Sequence, residues 1–434
     1  MAQNNESNNP WTKEDEREHP FSVIEWWCLI SPIKTNEDNK DWWIKIAFSE
    51  WNKDKNEIGS IINFDLLDQK NKKHYIYYIR SDSFRLKSEE NRFYVAFEDS
   101  FFEGQYPNYK IYINDKKNNI KLSTKFTAEA LPRWIAQDIT SGQLPMGLGY
   151  YRYGFIPKVK VSGKLIFNEK ELNFAGRGYY EHAWGDMWFD NPLSGFSGLK
   201  KTVNIYLKLI RWWFRNNKIS IPRSIKFSTE NNPFGYDWAW SLLDNGWSLY
   251  YGNIMFWIME GPSTGTLILT KDGKKYEEFA NIQFRYINIK QSKTHDFFYP
   301  TELEINAKKG NKKLYLHFKM TDETREYFSR FSGGNYWIGF IINESPGVVN
   351  GYYYDGKEKI KLSGISKIEP QRQIAFEGHN SLKIDILKPP EGVGISFELD
   401  SHLIKKKMFA KIQLAPIPKI KLYMKRIDES IIKR

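Results

Sequence analysis

Apolar and polar residues alternate along most of this chain in short runs. Asp41–Phe48, Ser60–Leu67, His74–Arg80, Arg92–Phe97 and Tyr109–Ile113 are rich in Ile, Tyr, Trp and Phe, and Asn, Asp, Lys and Gly clusters separate them. A period of two over such lengths predicts strands joined as an antiparallel meander. The rhythm continues through Tyr150-Tyr151-Arg152-Tyr153, Lys158–Gly163 and Lys164–Phe167. Further on, Asp237–Leu243 and Trp247–Tyr251 flank Asn245-Gly246, a pair suited to the type I′ hairpin turn. Asp272-Gly273 and Asp355-Gly356 repeat the signal. Long helical patterns are almost absent. The expected fold class is therefore all-β, with two antiparallel barrels or sandwiches.

One segment breaks the pattern. From Leu199 to Lys218, Lys201, Asn204, Lys208, Arg211, Arg215 and Lys218 recur at spacings of three and four, while Val203, Tyr206, Leu207, Ile210, Trp213 and Phe214 fall on the other side. That predicts an amphipathic helix with six basic residues and no acidic one. Two roles stay open: a helix packed on its own barrel, or a lid or membrane-touching surface. Pro192, Pro222 and Pro233 mark loops around it. The expected organisation is a disordered tail over 1–20, one barrel over 21–187, an insertion over 188–235 and a second barrel over 236–434.

The richest chemistry lies in Phe174–Gly185, which gathers Glu181, His182, Tyr179, Tyr180, Trp184 and three glycines. On a strand, adjacent residues point to opposite faces, so Tyr179, Glu181 and Ala183 share one side and Tyr180, His182 and Trp184 the other. Glycines in a strand mark bulges or close approach of a neighbour. The stretch reads equally as a site or as a bulged strand tied by structural hydrogen bonds. Glu25, set among Ile24, Trp26 and Trp27, must be paired or protonated if buried. Its expected roles are a second carboxylate or partner of His182 in the same cavity, or an ion pair with Arg152 or Arg177.

Aromatic residues make up 16% of the chain, enough to fill large cores and to line an apolar cavity. The net charge is +12, and residues 405–434 hold ten basic and two acidic side chains. No nucleic-acid motif accompanies this charge, so it reads as a solvated face, with no nucleic-acid partner. The single cysteine, Cys28, excludes an internal disulfide and fits a reducing, cytoplasmic compartment. Neither a secretory signal nor a membrane-spanning run is visible. Nucleophile elbows, phosphate-binding loops and zinc-protease motifs are missing. The seven histidines are scattered, and Glu181, His182 and Asp186 are too loosely spaced to identify a cation site, so no metal or other cofactor is expected.

Four ordered motifs carry a resemblance. Glu25-Trp26-Trp27-Cys28, Tyr150-Tyr151-Arg152-Tyr153 with Val161-Ser162-Gly163, Gly176–Gly185, and Tyr236-Asp237-Trp238-Ala239-Trp240 with Asp244-Asn245-Gly246 resemble the signatures of the AttH/CrtC family. The likeness runs over residues 21–251 and is thin beyond. Glu181 stands where the family has Asp, and Cys28 where it has Tyr. The resemblance implies two lipocalin-like β-barrels, and a function near the carotenoid hydratase hydroxyneurosporene synthase or the cycloaddition-promoting fungal relatives.

Under that resemblance, three readings follow. In the first, a hydratase acts on an isoprenoid or carotenoid. A buried Glu181 stays protonated and protonates an alkene, His182 orients or deprotonates the attacking water, and Trp26, Trp27, Tyr180 and Trp184 stabilise the cation. Tyr151, Tyr179, Trp238 and Trp240 complete the expected binding wall. In the second, the barrels only bind a lipid or polyketide, or act as a pericyclase by holding one conformation. In the third, Glu181 and His182 form structural hydrogen bonds alone.

Overall fold

The structure is a computed structural model. It describes every residue except 1–10, 21, 52–58, 82–85, 147–148, 187–195, 218–222, 229–234, 253–260, 263–264, 296, 322–323, 331–335, 377, 391 and 427–434. Two curled antiparallel sheets dominate it. The first has thirteen strands. Its middle is Asp41–Trp51, Ile24–Thr35, Lys170–Asp186 and Gly149–Phe167, hydrogen-bonded in that order. The second has eleven and centres on Tyr336–Tyr354, Lys359–Phe376 and Gly235–Leu243.

The alternation read from the sequence places these strands closely. Asp41–Trp51, Gly59–Asp68, Lys73–Ser81, Arg92–Phe97 and Asn108–Asp115 contain the five expected runs. Asn245-Gly246 joins Gly235–Leu243 to Ser248–Gly252, and Gly246 takes the positive φ of 81° that a hairpin turn of this kind needs. The other two glycine turns also close hairpins. The short runs Tyr150–Tyr153, Lys158–Gly163 and Lys164–Phe167 are instead one strand of 19 residues, Gly149–Phe167, bulged between Ile156 and Val159.

Three aromatic cores follow from this layout. Trp27, Phe64, Phe102, Phe126 and Tyr180 fill the first sheet's concave side. Leu249, Tyr251, Phe318 and Tyr353 fill the second's. Between the sheets Ile30, Phe155, Tyr179, Trp238, Trp240 and Tyr250 form a third. Each large side chain so buried contributes about 1.5–3 kcal/mol of transfer free energy.

Residues 11–20, expected with the disordered tail, pack into the first barrel instead. Trp11, Asp15 and Glu16 are buried. The Glu16 carboxylate accepts from the Tyr106 N–H at 2.8 Å and the Tyr109 hydroxyl at 2.9 Å, and Arg152 donates to Asp15 at 2.5 Å. The segment's polarity looked like solvation, whereas its acids satisfy donors inside the barrel. Residues 1–10 lie outside the described residues.

A second correction concerns the insertion. Ser224–Ser228 pairs with Asn380–Leu387 and belongs to a third sheet completed by Val393–Ser401, Lys406–Ala415 and Lys419–Arg426. The expected insertion and the end of the chain therefore share one five-stranded sheet. The helix spans Phe196–Asn216. It docks through Thr202, Ile205 and Leu209, which are buried. Of the six residues on its expected apolar side, Val203, Leu207 and Phe214 are exposed.

Candidate functional site

The strand Lys170–Asp186 lies between Ile24–Thr35 and Gly149–Phe167, with Glu181 opposite Cys28 and Phe155 and His182 opposite Trp27 and Gly154. Its glycines permit this crowding. A Cβ on Gly178 would lie 2.3 Å from the Ile30 carbonyl oxygen, and one on Gly185 2.3 Å from the Tyr151 Cα. The alternation then does what the sequence predicts: Tyr179, Glu181 and Ala183 face the inter-sheet core, while Tyr180 and His182 face the first barrel.

A cavity of about 170 Å³ opens on the Glu181 side. Both sheets line it, with Trp26, Tyr151, Tyr153 and Glu181 from the first and Trp238, Tyr250 and Glu369 from the second. Glu181 accepts from the Trp26 indole at 3.0 Å and from the Tyr153 hydroxyl, which in turn bonds the Tyr179 hydroxyl. Burial pushes the Glu181 carboxyl up from 4.5 to about 7; the Tyr153 hydrogen bond opposes this and the charge of Glu369 adds to it. The Trp238 indole N–H has no partner among the described residues, which leaves a donor for a bound polar group.

The same two-sheet layout occurs in solved proteins. An AttH-like protein from Nitrosomonas europaea matches with a TM-score of 0.54 at 16% identity, over 81% of this chain and 94% of its own. Kievitone hydratase from Nectria haematococca matches at 0.51 and 12%, over 82% and 92%. No protein-family model and no curated protein matches the chain. The chain has the AttH-type two-barrel fold. The likeness read from four motifs over 21–251 thus extends through the second barrel, where those motifs thin out.

In this AttH-type fold, His182 stands behind the sheet from the cavity. It is fully buried, with Nδ1 against the Asp15 carbonyl at 2.9 Å and Nε2 against Glu25 at 2.9 Å. Glu25 also binds the His19 backbone N–H at 2.9 Å and the His19 ring at 2.8 Å. Burial holds the His182 pKa below its ordinary value, against the pull of Glu25. Among the described residues, His19, Glu25 and His182 form the set that could hold a cation, since their ligand atoms lie within 4.8 Å of one another. Hydrogen bonds between them already occupy those atoms.

This geometry corrects several expected placements. His182 cannot orient water beside Glu181. Trp27 stacks on His182 at 4.9 Å, Trp184 stacks on His19 at 3.9 Å, and Tyr180 sits in the barrel core, so these three rings face away from the cavity. Trp240 packs in the inter-sheet core and donates to the Pro157 carbonyl at 2.8 Å. Tyr179 is hydrogen-bonded to both Tyr153 and Glu181 from the inter-sheet core. Glu25 pairs with neither arginine: Arg152 binds Asp15 and lies 3.7 Å over Trp134, and Arg177 pairs with Glu129 at 2.7 Å on the surface. Of the expected residues, Glu181, Trp26, Tyr151 and Trp238 meet in the cavity.

Sequence reasoning missed the cavity's opposite, charged end. Lys45 bonds Glu344 at 2.7 Å and lies 3.9 Å from Glu369, while Lys367 lies 3.2 Å from Glu344. Burial alone would raise Glu344, but Lys367, Lys45 and Arg325 outweigh it and hold the carboxyl well below the usual range. Glu369 is pushed up, by burial first and by Glu344, and accepts from the Tyr236 hydroxyl at 2.8 Å. A lone lysine in the apolar run Trp42–Phe48 was the available signal.

Proposed function

We propose that this protein is a hydratase-like enzyme that adds water to an alkene of a hydrophobic small molecule, of isoprenoid or carotenoid class, held between its two barrels. The observation that carries this reading is the Glu181 carboxyl, set among rings at a pKa of about 7 and open to the cavity. Near neutrality a large share of it is protonated, as a proton donor to carbon requires.

The step is as follows. The alkene π pair takes the Glu181 proton and forms a C–H bond, leaving a tertiary cation on the other carbon. The faces of Trp26, Tyr151 and Trp238 stabilise it by about 0.5–2 kcal/mol per ring. Water adds to the cation and gives its surplus proton to a cavity carboxylate. Glu181, ionised by the first step, takes this proton back and is restored; Glu369 on the opposite wall can relay it. The Trp238 N–H is available to the incoming oxygen. The chemistry needs no cofactor. A hydratase among the fold neighbours supports the reading.

The mostly aromatic wall favours a second reading, in which the cavity only binds a lipid or polyketide-like chain, or folds it for cyclisation. We further propose a cytoplasmic location with membrane contact through the helix Phe196–Asn216; the exposure of Val203, Leu207 and Phe214 among Lys208, Arg211 and Arg215 supports the contact.

Native mass spectrometry of protein purified from its own host, with extraction of bound molecules, separates the readings. A hydroxylated isoprenoid is expected, with water addition lost in Glu181→Gln. A bound polyketide or fatty acid, with turnover or binding indifferent to Glu181→Gln, overturns the hydratase.

A further inference from the structure

Among the described residues, the third sheet has an apolar face left uncovered on its outer strands. Its register aligns Leu382, Leu399, Met408 and Met424 in one row across the strands and Ile386, Ile395, Ile412 and Ile420 in another. Cross-strand partners share a face, so four strands present one apolar surface. Such alternation in an antiparallel sheet ordinarily means that this face is packed on something. Among the described residues, none from this sheet joins a buried core cluster. Side chains of Asn380–Leu387 are half-buried, and cover then thins outward: Leu422 is 68% and Ile420 80% exposed.

The charge says what covers it. Ser401 to Arg426 holds eight basic residues and no acidic one. On the outermost strand Lys419, Lys421 and Lys425 alternate with the apolar side chains and so form the basic opposite face of the sheet, while the cross-strand pair Lys406 and Arg426 borders the apolar face itself. Lysines along a free edge oppose pairing with a second copy of the same strand, which would set like charges side by side. An anionic bilayer suits both features: apolar side chains enter the headgroup boundary, while the bordering Lys406 and Arg426 reach the phosphates. We infer that the apolar face of the hairpin Lys406–Arg426 is a docking surface for an anionic phospholipid membrane. The inference does not depend on the reaction proposed for the cavity.

The test uses the full chain and vesicles of equal parts phosphatidylcholine and phosphatidylglycerol, with pure phosphatidylcholine as the comparison, read by co-sedimentation. Binding to the anionic vesicles is expected, weaker as salt rises. The combined Ile420→Ser, Leu422→Ser and Met424→Ser variant should lose about tenfold or more in partitioning, with an unchanged circular dichroism spectrum. These positions are exposed, so folding is spared. Both measurements are made in a chain that also carries Leu207→Ser and Phe214→Ser, so that the helix does not contribute to the binding read. Vesicle binding that survives the hairpin variant, indifference to both vesicles, or a dimer in sedimentation analysis that the hairpin variant splits would each overturn the inference; the last would assign the face to a second copy.

Discussion

Glu181 and His182 are neighbours in the chain, and the structure gives them opposite lives. On the His182 side every polar atom of the ring is engaged, and the surroundings are close-packed tryptophan and phenylalanine. On the Glu181 side the carboxyl is desolvated but not enclosed, and it faces rings from both sheets across a cavity. One face is built to hold the N-terminal segment against the barrel. The other holds a desolvated acid, its pKa raised to about 7, at the wall of a cavity. A charge-bearing motif is therefore not one site. The strand splits it, and only the half that meets a cavity can do chemistry on a ligand.

The largest expected effect sharpens that contrast. Glu181→Gln should lower turnover by about 10²- to 10⁴-fold, the usual share of a general acid. The same change should leave the fold intact and raise its stability in alkali. The folded pKa is raised, so between 4.5 and about 7 the folded state keeps a proton that the unfolded chain loses, and stability falls as pH rises through that window. Glutamine removes the penalty. The variant should melt higher than the parent at about pH 8 and at the same temperature at about pH 4. A parent-like melting point at both values, measured by calorimetry, would place Glu181 in water.

His182→Ala should show the inverse pattern. It strips a partner from buried Glu25 and from the Asp15 carbonyl, a change of about 3–5 kcal/mol, read as a fall in denaturant midpoint. Protein that still folds should keep the catalytic pH profile of the parent. A selective loss of kcat, with stability preserved, would break the comparison.

Tyr153→Phe sits between the two. Its hydroxyl lowers the Glu181 pKa, so its removal should move the alkaline limb of activity upward. The sign follows because the protonated acid is the active form. A downward move in the pH–rate profile would contradict the assigned hydrogen bond. Arg177→Ala should do least. Its pair with Glu129 is on the surface, and exposed pairs contribute about 0–1 kcal/mol. Thermal melting should barely change.

Much of the architecture was legible because it rests on local rules. The strands of the first barrel follow alternation, the three hairpins follow Asn-Gly and Asp-Gly, and the opposite facing of Glu181 and His182 follows from a period of two. Other features were hidden for definite reasons. Residues 11–20 look solvated in sequence, yet Asp15 and Glu16 meet donors contributed by Arg152, Tyr106 and Tyr109. Which of the helix's apolar residues pack was not legible, because they surround more of its circumference than the barrel covers. The basic end of the chain was read as a solvated surface, because its lysines alternate with apolar residues whose common face appears only once five strands are in register.

The sequence by itself determined the all-β class, the turns and which side chains share a face of each strand, since these depend on neighbours two to four residues away. Only the tertiary structure decided which face meets the cavity that is the candidate site. That choice required Trp238, Tyr250 and Glu369 from the second barrel to close over Glu181, and Asp15, His19 and Glu25 to close over His182. Desolvation, which sets the Glu181 pKa, belongs to the volume around a residue, and that volume is assembled from segments far apart in the chain.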